Sequence, residues 1–300
     1  MNRRALLFVT VLALAVTSLA AQAQIQTASV TFTTVDFPGS AFSNVTGINS
    51  FGDMVGNYSA IYTGIDGHGF LFRNGLFTSI DYPGAFTTGA GGINDSELIV
   101  GTADFDGGLV SNGFLYDGQT FTLFAYPGQP NTVASSINNA GTVVGGAGNS
   151  GSVTHAFKLQ NGVFQGIDPP INALIKGGSG INNFDEIAIL AALGKGNTNY
   201  GFVFQNGKFT PIVFPGAAGF TEALGINDNR IVVGSYFVAG QGSFGFAHQN
   251  SRYVSLAFPG ATDTYATAIN NAGQIVGEYV LPDSSTHGFV TSPISDADFQ

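Results

Sequence analysis

The amino-acid sequence predicts an all-β protein, a six-bladed β-propeller with four-stranded blades. One hairpin element, clearest as Ile-Asn-Asn-Ala-Gly-Gln-Ile-Val-Gly at Ile269–Gly277, is written six times. The copies recur about every 44 residues, which is the length of a propeller blade. The chain also opens with a lone strand of the kind that its last copy lacks. A β-solenoid of stacked hairpins is the alternative fold.

Three sequence markers keep the same register along the chain, which makes 24–300 a single domain of six repeats. The Ile-Asn pair begins at Ile48, Ile93, Ile137, Ile181, Ile226 and Ile269. A proline, usually after an aromatic residue, stands at Pro38, Pro83, Pro127, Pro170, Pro215 and Pro259. A phenylalanine after a small residue stands at Phe70, Phe114, Phe157, Phe202, Phe246 and Phe289.

Each repeat is expected to contain four short strands, A to D, because short apolar runs alternate with turn residues and no helical period appears. Asp117-Gly118 is a strong hairpin signal between strands C and D of the second repeat. The strands predicted for that repeat are Thr88–Asn94, Leu98–Thr102, Gly113–Tyr116 and Thr120–Tyr126.

The ends of the chain favour a ring over a solenoid. A lone D-type strand, Val30–Phe37, precedes the first repeat, whereas the last repeat stops after its C strand at Gly288–Val290. The first strand can therefore complete the last blade and remove an exposed sheet edge. An open solenoid would instead need polar capping repeats.

Residues 1–23 have the pattern of a secretory signal peptide. Arg3 and Arg4 precede an apolar run, Ala5–Val16, and small residues lead to a cleavage site after Ala23. The run is shorter than the ~20 residues that span a membrane, so we expect no membrane span in the mature chain. The protein is expected to be secreted, extracellular or periplasmic. It has no cysteine, so no disulfide supports the fold.

Charge argues against nucleic acid as a partner. The formal net charge is −10, and it falls to −12 when the two signal arginines leave seven basic against 19 acidic residues. A nucleic-acid-binding surface needs a concentration of Lys and Arg, which this composition cannot supply.

The chain resembles the bacterial extracellular HAF-repeat proteins, named for a His-Ala-Phe element. That element is present literally at His155-Ala156-Phe157 and as His-Gly-Phe after His68 and His287. The resemblance covers essentially the whole mature chain and implies the repeat type, but no catalytic residues. The fourth repeat departs from it, with Pro169-Pro170-Ile171 for Phe-Pro-Gly and Ala188-Ile189 for Val-Gly. Three repeats replace the turn glycine by Glu97, Asp185 and Arg230.

Several repeated polar residues are better explained by structure than by chemistry. The Asn of each Ile-Asn pair is expected to cap its turn with its side chain. His68, His155 and His287 share one repeat position but should be kept apart by the blades, so they are not expected to bind a metal. Asp36, Asp81 and Asp168 are expected to solvate turns.

A functional site is expected on the face that carries the variable B-to-C and D-to-A loops. Glu222 is expected there as the single carboxylate near the axis, and the sequence names no catalytic residue, cofactor or metal site. The preferred function is a secreted, non-catalytic binding or scaffold module for a glycan, envelope component or protein. A metal-assisted hydrolase or lyase that uses Glu222 is the alternative. The candidate ligand-binding residues, chosen as aromatic and amide side chains of these loops, are Tyr62, Phe105, Asn149, Tyr236, Phe237, Gln241 and Tyr279.

Overall fold

The computed structural model describes residues 26–61, 66–149, 152–167, 173–193 and 198–299. The signal peptide predicted over 1–23 and the candidate ligand residue Tyr62 lie outside these ranges. Within them the protein is all-β, apart from one short 3-10 helix, Asp296–Phe299. No helix among these residues is long and apolar enough to cross a membrane.

The described chain forms 25 strands, most of which are four to nine residues long. In chain order they are β1 Gln26–Thr27, β2 Phe32–Thr34, β3 Phe42–Ile48, β4 Met54–Ser59, β5 His68–Arg73, β6 Leu76–Ile80, β7 Thr87–Ile93, β8 Ile99–Asp104, β9 Ser111–Tyr116, β10 Phe121–Phe124, β11 Asn131–Ile137, β12 Val143–Asn149, β13 Ser152–Gln160, β14 Val163–Ile167, β15 Ala173–Ile181, β16 Ile187–Leu193, β17 Thr198–Gln205, β18 Lys208–Ile212, β19 Thr221–Ile226, β20 Val232–Val238, β21 Gly242–Gln249, β22 Arg252–Leu256, β23 Asp263–Ile269, β24 Ile275–Val280 and β25 Thr286–Thr291.

Antiparallel pairing groups these strands into units that match the sequence repeats. Units 1 to 5 are β3–β6, β7–β10, β11–β14, β15–β18 and β19–β22, and unit 6 is β23–β25 with β2. In unit 6, Phe32 of β2 lies opposite Thr291 of β25. Single parallel bridges join units 6 and 1, units 2 and 3, and units 4 and 5 into three sheets. Strand β1 pairs in parallel with β22 at the edge of unit 5, a contact that the sequence did not predict.

The observed strand bounds differ from the predicted ones by one to three residues. In unit 2, strand B extends to Asp104 and strand D ends at Phe124, two residues before its predicted end. The N-terminal strand is also shorter than predicted, at Phe32–Thr34. The differences arise because strand ends are set by loop hydrogen bonds, such as that from Phe86 N to the Asp104 carbonyl.

Every first strand carries a β-bulge two to three residues before its end, which the sequence did not reveal. The register shift in unit 1, for example, falls between Val45 and Gly47 and leaves Thr46 as the extra residue. The shifts of the other units fall at Ala90/Gly92, Ala134/Ser136, Gly178/Gly180, Ala223/Gly225 and Ala266/Ala268. A bulge turns the strand, so the extra residue of each unit faces the interior that the six first strands share.

The small residues just before each Ile-Asn pair are required by close approach of neighbouring units, as predicted. A Cβ added to Gly47 would lie 2.8 Å from the Cα of Gly92, and one added to Gly180 would lie 2.9 Å from that of Gly225. Contacts that short do not occur in packed proteins, so the first strands can lie side by side only because these positions are small.

The hydrophobic core is divided among the junctions between units. The marker phenylalanines Phe70, Phe114, Phe157, Phe246 and Phe289 are each 0% exposed. At three junctions the aromatic residue of the Phe-Pro marker stacks on a tyrosine of the following unit. Ring centroids are 3.6 Å apart for Phe37 and Tyr58 and 3.5 Å apart for Phe214 and Tyr236 and for Phe258 and Tyr279.

Unit 4 accommodates its departures from the repeat by changing its first strand. In the other units the position of Ile189 is a glycine, and a Cβ on Gly101 would lie 2.0 Å from the carbonyl oxygen of Gly89. Unit 4 has a second register shift, between Ile175 and Gly177, beside this position. The fully buried side chain of Ile189 therefore fits where the other units allow only glycine.

Candidate binding site in the central cavity

Six buried asparagine side chains link the units at the end where the A-to-B turns lie. Asn49 Oδ1 accepts from the backbone N–H groups of Phe51 and Asp53, so it caps its own turn. Its Nδ2 donates to the backbone carbonyl of Asn94 in the next unit, 3.4 Å away. The equivalent bonds run from Asn94 to Asn138, from Asn138 to Asn182, from Asn182 to Asn227, from Asn227 to Asn270 and from Asn270 to Asn49.

The expected turn-capping role is thus confirmed, and the same side chains also form an inner ring of hydrogen bonds between units. In each of these amides Oδ1 is bound to its own turn and Nδ2 donates to the next unit. A buried amide that already has its partners has little left to offer a ligand. This end of the molecule is therefore framework.

The next residue of each turn forms a second, exposed or half-buried set, called here the outer ring: Ser50, Asp95, Asn139, Asn183, Asp228 and Asn271. In five of the six members the backbone N–H donates to the side chain of the following member, as from Asp95 N to Asn139 Oδ1 at 2.9 Å. Corresponding bonds leave Ser50, Asn139, Asn183 and Asp228. Among the described residues, no such bond returns from Asn271 to Ser50.

The opposite end of the shared interior opens into a cavity of about 290 Å³, called here the central cavity. All six first strands contribute to it, and Asn57 and Thr102 contribute from second strands. Its lining from the first strands includes the bulge residues Thr46, Gly91, Ser135, Ser179, Leu224 and Thr267. This end carries the B-to-C loops, the face on which the sequence placed a site.

Beside the central cavity, the strands of three neighbouring units carry polar side chains, and those of the other three units do not. The polar half is called here the polar sector. The cross-strand pairs of units 5, 6 and 1 at this level are Glu222 with Ser235, Tyr265 with Glu278, and Asn44 with Asn57. The corresponding pairs of units 2, 3 and 4 are Gly89 with Thr102, Val133 with Gly146, and Gly177 with Leu190. A ligand at this mouth would meet hydrogen-bonding groups on one side and apolar or small residues on the other.

Glu278 corrects the expectation that Glu222 is the single carboxylate near the axis. Asn44 Nδ2 donates to Glu278 Oε2 at 3.1 Å, and Ser235 Oγ donates to Glu222 Oε2 at 3.1 Å. Asn57 Nδ2 donates to Asn44 Oδ1, and Ala90 N donates to Asn57 Oδ1. A chain of hydrogen bonds thus runs from unit 2 through unit 1 to the carboxyl group of unit 6.

Burial alters the acidity of two groups in the polar sector. It raises the pKa of Glu278, and the bond from Asn44 opposes this in part. Burial also raises the pKa of Tyr265, where the bond to Ser243 opposes it and the charges of Asp263, Glu278 and Glu222 add to it. Tyr265 lies directly opposite Glu278 in the register of β23 and β24. Sequence reasoning missed Glu278 because it follows the Val-Gly marker, in a strand assigned to the framework.

The repeated histidines are separated, as expected, but two of them are paired with aspartates. His68 Nδ1 lies 2.6 Å from Asp81 Oδ1, and His287 Nδ1 lies 2.8 Å from Asp36 Oδ2. His155 instead stacks on Tyr126 with ring centroids 5.6 Å apart. The aspartates therefore do more than solvate turns, which corrects that expectation for Asp36 and Asp81. Asp168 lies outside the described residues.

The candidate ligand residues do not converge. Tyr236 and Tyr279 are each 5% exposed and are stacked between units, so the expectation of exposed rings is wrong for these two. Their hydroxyls are bonded to Ser255 and Thr34, respectively. Phe237 is half-buried and stacks on Phe220 at 5.7 Å. Phe105, Asn149 and Gln241 are exposed and belong to three different units.

Among the described residues, no three His, Cys, Asp or Glu side chains are grouped so that they could hold a metal ion. The polar sector has two carboxylates, two amides and one phenol. Such a set binds hydroxyl or amino groups of a small molecule through directed hydrogen bonds.

Comparisons with known proteins support the fold. No family model matches the sequence, and no curated protein matches it. A gluconolactonase from Xanthomonas campestris is 11% identical with a TM-score of 0.51, covering 90% of this chain and 97% of its own. A protein of unknown function from Dyadobacter fermentans is 12% identical with a TM-score of 0.55, covering 87% and 98%. A mutant of AofleA from Arthrobotrys oligospora is 10% identical with a TM-score of 0.54, covering 90% and 89%.

These likenesses are too remote in sequence to indicate more than the fold. Similarity to β-propeller proteins such as the gluconolactonase agrees with the four-stranded units, their pairing and their shared interior. The chain has a β-propeller fold.

Proposed function

We propose that residues 24–300 form a single, closed six-bladed propeller in which β2 completes the last blade. The ring of six asparagine bonds supports this, because the bond from Asn270 returns to Asn49. The pairing of β2 with β25 supplies the fourth strand of unit 6. We also propose that its six repeats are of the HAF type.

The protein is proposed to be a secreted, non-catalytic binding module whose ligand enters the central cavity. Secretion is supported by the signal-peptide pattern of residues 1–23. Binding is supported by one observation above all. A cavity of about 290 Å³ is lined by all six first strands, and the cross-strand pairs beside it are polar in units 5, 6 and 1 but apolar or small in units 2, 3 and 4. That asymmetry gives a site in which a ligand has one preferred orientation.

A glycan end is the ligand that this mouth suits best. Carboxylates and amides accept and donate hydrogen bonds to vicinal hydroxyl groups, and an apolar wall suits the carbon face of a sugar ring. A volume of about 290 Å³ accommodates a ligand of about one sugar ring. Two carboxylates, Glu222 and Glu278, favour neutral or amino sugars over sugar acids.

The test is binding of the purified protein to an array of neutral, amino and acidic glycans, followed by titration of any positive sugar. Tyr265→Phe removes one hydroxyl and Asn57→Ala removes one amide, and each should weaken binding about tenfold. Asn149→Ala, at the exposed end of β12 and outside the mouth, is the matched control and should bind as the wild type does. Retention of no neutral or amino sugar, or equal affinity of all variants, would contradict the proposal.

Hydrolysis remains a second candidate because Glu278 gives the mouth a second carboxyl group. Burial raises the pKa of Glu278, and a carboxyl group of raised pKa is the kind that serves as a general acid. The metal-assisted form of this alternative has no supporting group of ligands among the described residues. Incubation with a bound glycan decides the matter: release of sugar that Glu278→Gln abolishes would favour the enzyme over the binding module.

A further inference from the structure

A second cavity lies in the cleft between units 4 and 5, away from the central cavity. It has a volume of about 330 Å³. Val203 and Ile212 of unit 4 and Val232 of unit 5 contribute aliphatic side chains to its lining. The volume is at the lower end of the range for small-molecule sites. This cleft is called here the inter-unit cleft.

The inter-unit cleft is locally basic in an acidic protein. Lys208 and Arg230 line it, two of only nine Lys and Arg residues in a chain of net charge −10. Its one carboxylate, Glu186, is already satisfied: it accepts from Arg230 Nε at 2.9 Å and from Asn182 Nδ2 at 2.7 Å. Among the described residues, both side-chain hydrogen bonds of Arg230 use Nε, so the terminal amino groups of its guanidinium can serve a further acceptor. Lys208 is exposed at the cleft.

His248 gives the cleft an unsatisfied polar atom. Its Nδ1 is buried and has no hydrogen-bond partner among the described residues. The ring packs against Tyr253 with centroids 4.3 Å apart. The repeat position of His248 is occupied by Phe72 in unit 1 and by Phe204 in unit 4. Each of these rings packs on a phenylalanine five residues later, as His248 packs on Tyr253. Packing alone is therefore met by phenylalanine and does not account for the imidazole.

A buried nitrogen without a partner costs free energy that a ligand could recover. Leaving such a group unpaired is unfavourable, and native proteins keep few of them. Burial lowers the pKa of His248, which makes the free imidazole neutral at pH 7. A neutral imidazole can take up a proton when an anion binds beside it.

We propose that the inter-unit cleft binds a small carboxylate-bearing molecule, with the carboxylate held by Arg230, Lys208 and His248. This proposal concerns a different site and does not depend on the ligand of the central cavity. The planar carboxylate matches the paired donors of a guanidinium, and the aliphatic wall of Val203, Ile212 and Val232 would receive the body of the ligand. A sugar acid from an acidic polysaccharide has the required size and chemistry.

Binding of the anion is coupled to protonation of His248. The charged groups that face the imidazole are Lys208, Arg230 and the paired Glu186, and Tyr253 packs beneath it. Burial disfavours a protonated imidazole in the free cleft. A bound carboxylate reverses this, because its charge stabilises the imidazolium. The pKa of His248 therefore rises on binding, and affinity falls as pH increases through the pKa of the bound form.

The test uses the full mature chain, with methyl β-D-glucuronide as the probe and methyl β-D-glucoside as its uncharged match. NMR follows the His248 ring during titration with each sugar and gives its pKa in the free and bound protein. The glucuronide is expected to shift the His248 signals and to raise that pKa, whereas the glucoside should do neither. His248→Phe restores the residue type of units 1 and 4, and Lys208→Gln changes an exposed position. Each should weaken glucuronide binding at least fivefold.

Glu222→Gln, in the polar sector of the central cavity, is the control and should leave glucuronide binding in the cleft unchanged. Failure of the central cavity to bind any sugar would thus not affect this result. The proposal is overturned if the glucuronide does not shift the His248 signals, if the glucoside shifts them as much, or if Lys208→Gln and His248→Phe retain full affinity.

Discussion

Arg230 Nε of unit 5 lies 2.9 Å from Glu186 Oε1 of unit 4, and this ion pair explains a departure from the repeat. The turn position of Arg230 is glycine in units 1, 3 and 6, and Arg230 adopts the same left-handed backbone with a φ of 58°. Glu97 and Asp185, the other two departures, pair in the same way with Arg73 and Lys158 of the preceding unit. Each unit that gives up the turn glycine gains an ionic contact across a junction.

Replacement of Arg230 should separate the stabilisation by the ion pair from the cost of a side chain in a left-handed backbone. Arg230→Ala keeps a side chain in a left-handed backbone but loses the ion pair, so it should lower the free energy of unfolding by about 1–2 kcal/mol. Arg230→Gly loses the same pair but relieves the backbone, and should be about 1 kcal/mol more stable than Arg230→Ala. Urea denaturation measures both. Gly141→Ala, at the same turn position with a φ of 77° and no atom within 4 Å of its added Cβ, gives the backbone cost alone. Equal stability of the alanine and glycine variants of Arg230 would contradict the explanation.

The outer ring should be completed by Ser50→Asn. Asn183 shows the pattern to be copied: its N–H and Nδ2 donate to Asp228, and its Oδ1 accepts from Asn139 N. Asparagine at position 50 would place an Oδ1 within reach of the Asn271 N–H, where serine is too short. We expect a gain of about 0.5–1 kcal/mol in the free energy of unfolding, seen as a higher melting temperature.

The comparison for that variant is Ser96→Asn, at an exposed turn position one residue beyond the outer ring in unit 2. It should leave the melting temperature unchanged. A Ser50→Asn protein that is no more stable than this control would show that the ring cannot be closed by side-chain length alone.

Glu278 should make stability depend on pH. Its folded-state pKa is raised by burial, so its contribution is fully present below the unfolded pKa and is lost as pH rises through the folded pKa. Glu278→Gln retains an acceptor for Asn44 Nδ2 but cannot ionise. The variant should match the wild type below about pH 4 and become the more stable protein as pH rises toward 7.

Denaturant unfolding of both proteins at several pH values between 4 and 7 measures the difference between their free energies of unfolding. Other titrating groups are common to the two chains and cancel from it. A difference that stays constant over the whole range would mean that Glu278 ionises in the folded protein as easily as in the unfolded one.

Strand β2 should contribute to stability through Phe32. The ring lies 5.3 Å from those of Phe258 and Phe289, so it joins the N-terminal strand to units 5 and 6. Phe32→Ala is expected to cost about 2–3 kcal/mol, below the usual figure for a fully buried phenylalanine because Phe32 is only half-buried. Thermal unfolding should show the loss, while Phe51→Ala, at a side chain that is 74% exposed, should show none. Similar melting temperatures for the two variants would argue against a structural role for β2.

The repeats, the strands and the framework role of the asparagines could be predicted because each is written several times in the chain. A residue such as Gly47 or Asn49 meets the same requirement in every unit, so its repetition reveals the requirement. The β-bulges could not be predicted, since a bulge changes the register without changing the residue types.

Only one of the two glutamates of the polar sector could be predicted, because the sector depends on which residues of different units lie beside the central cavity. Glu222 was found by its position in strand A, but Glu278 belongs to strand B and became visible only through the register with Tyr265. The histidine and aspartate pairs did leave a signal. His68 occurs in the unit that contains Asp81, and His287 occurs in the unit that β2 and Asp36 complete, so each pair could have been inferred from its joint occurrence.

The asparagine ring has a consequence for how such a protein can change. Each bond joins a side-chain amide to a backbone carbonyl that every unit possesses, so the contact is indifferent to which unit comes next. A duplicated or exchanged unit would bring its own donor and acceptor and would need no new partner at the inner junction. The scaffold is therefore modular at its centre, and mutation is free to act on the loops of the opposite face.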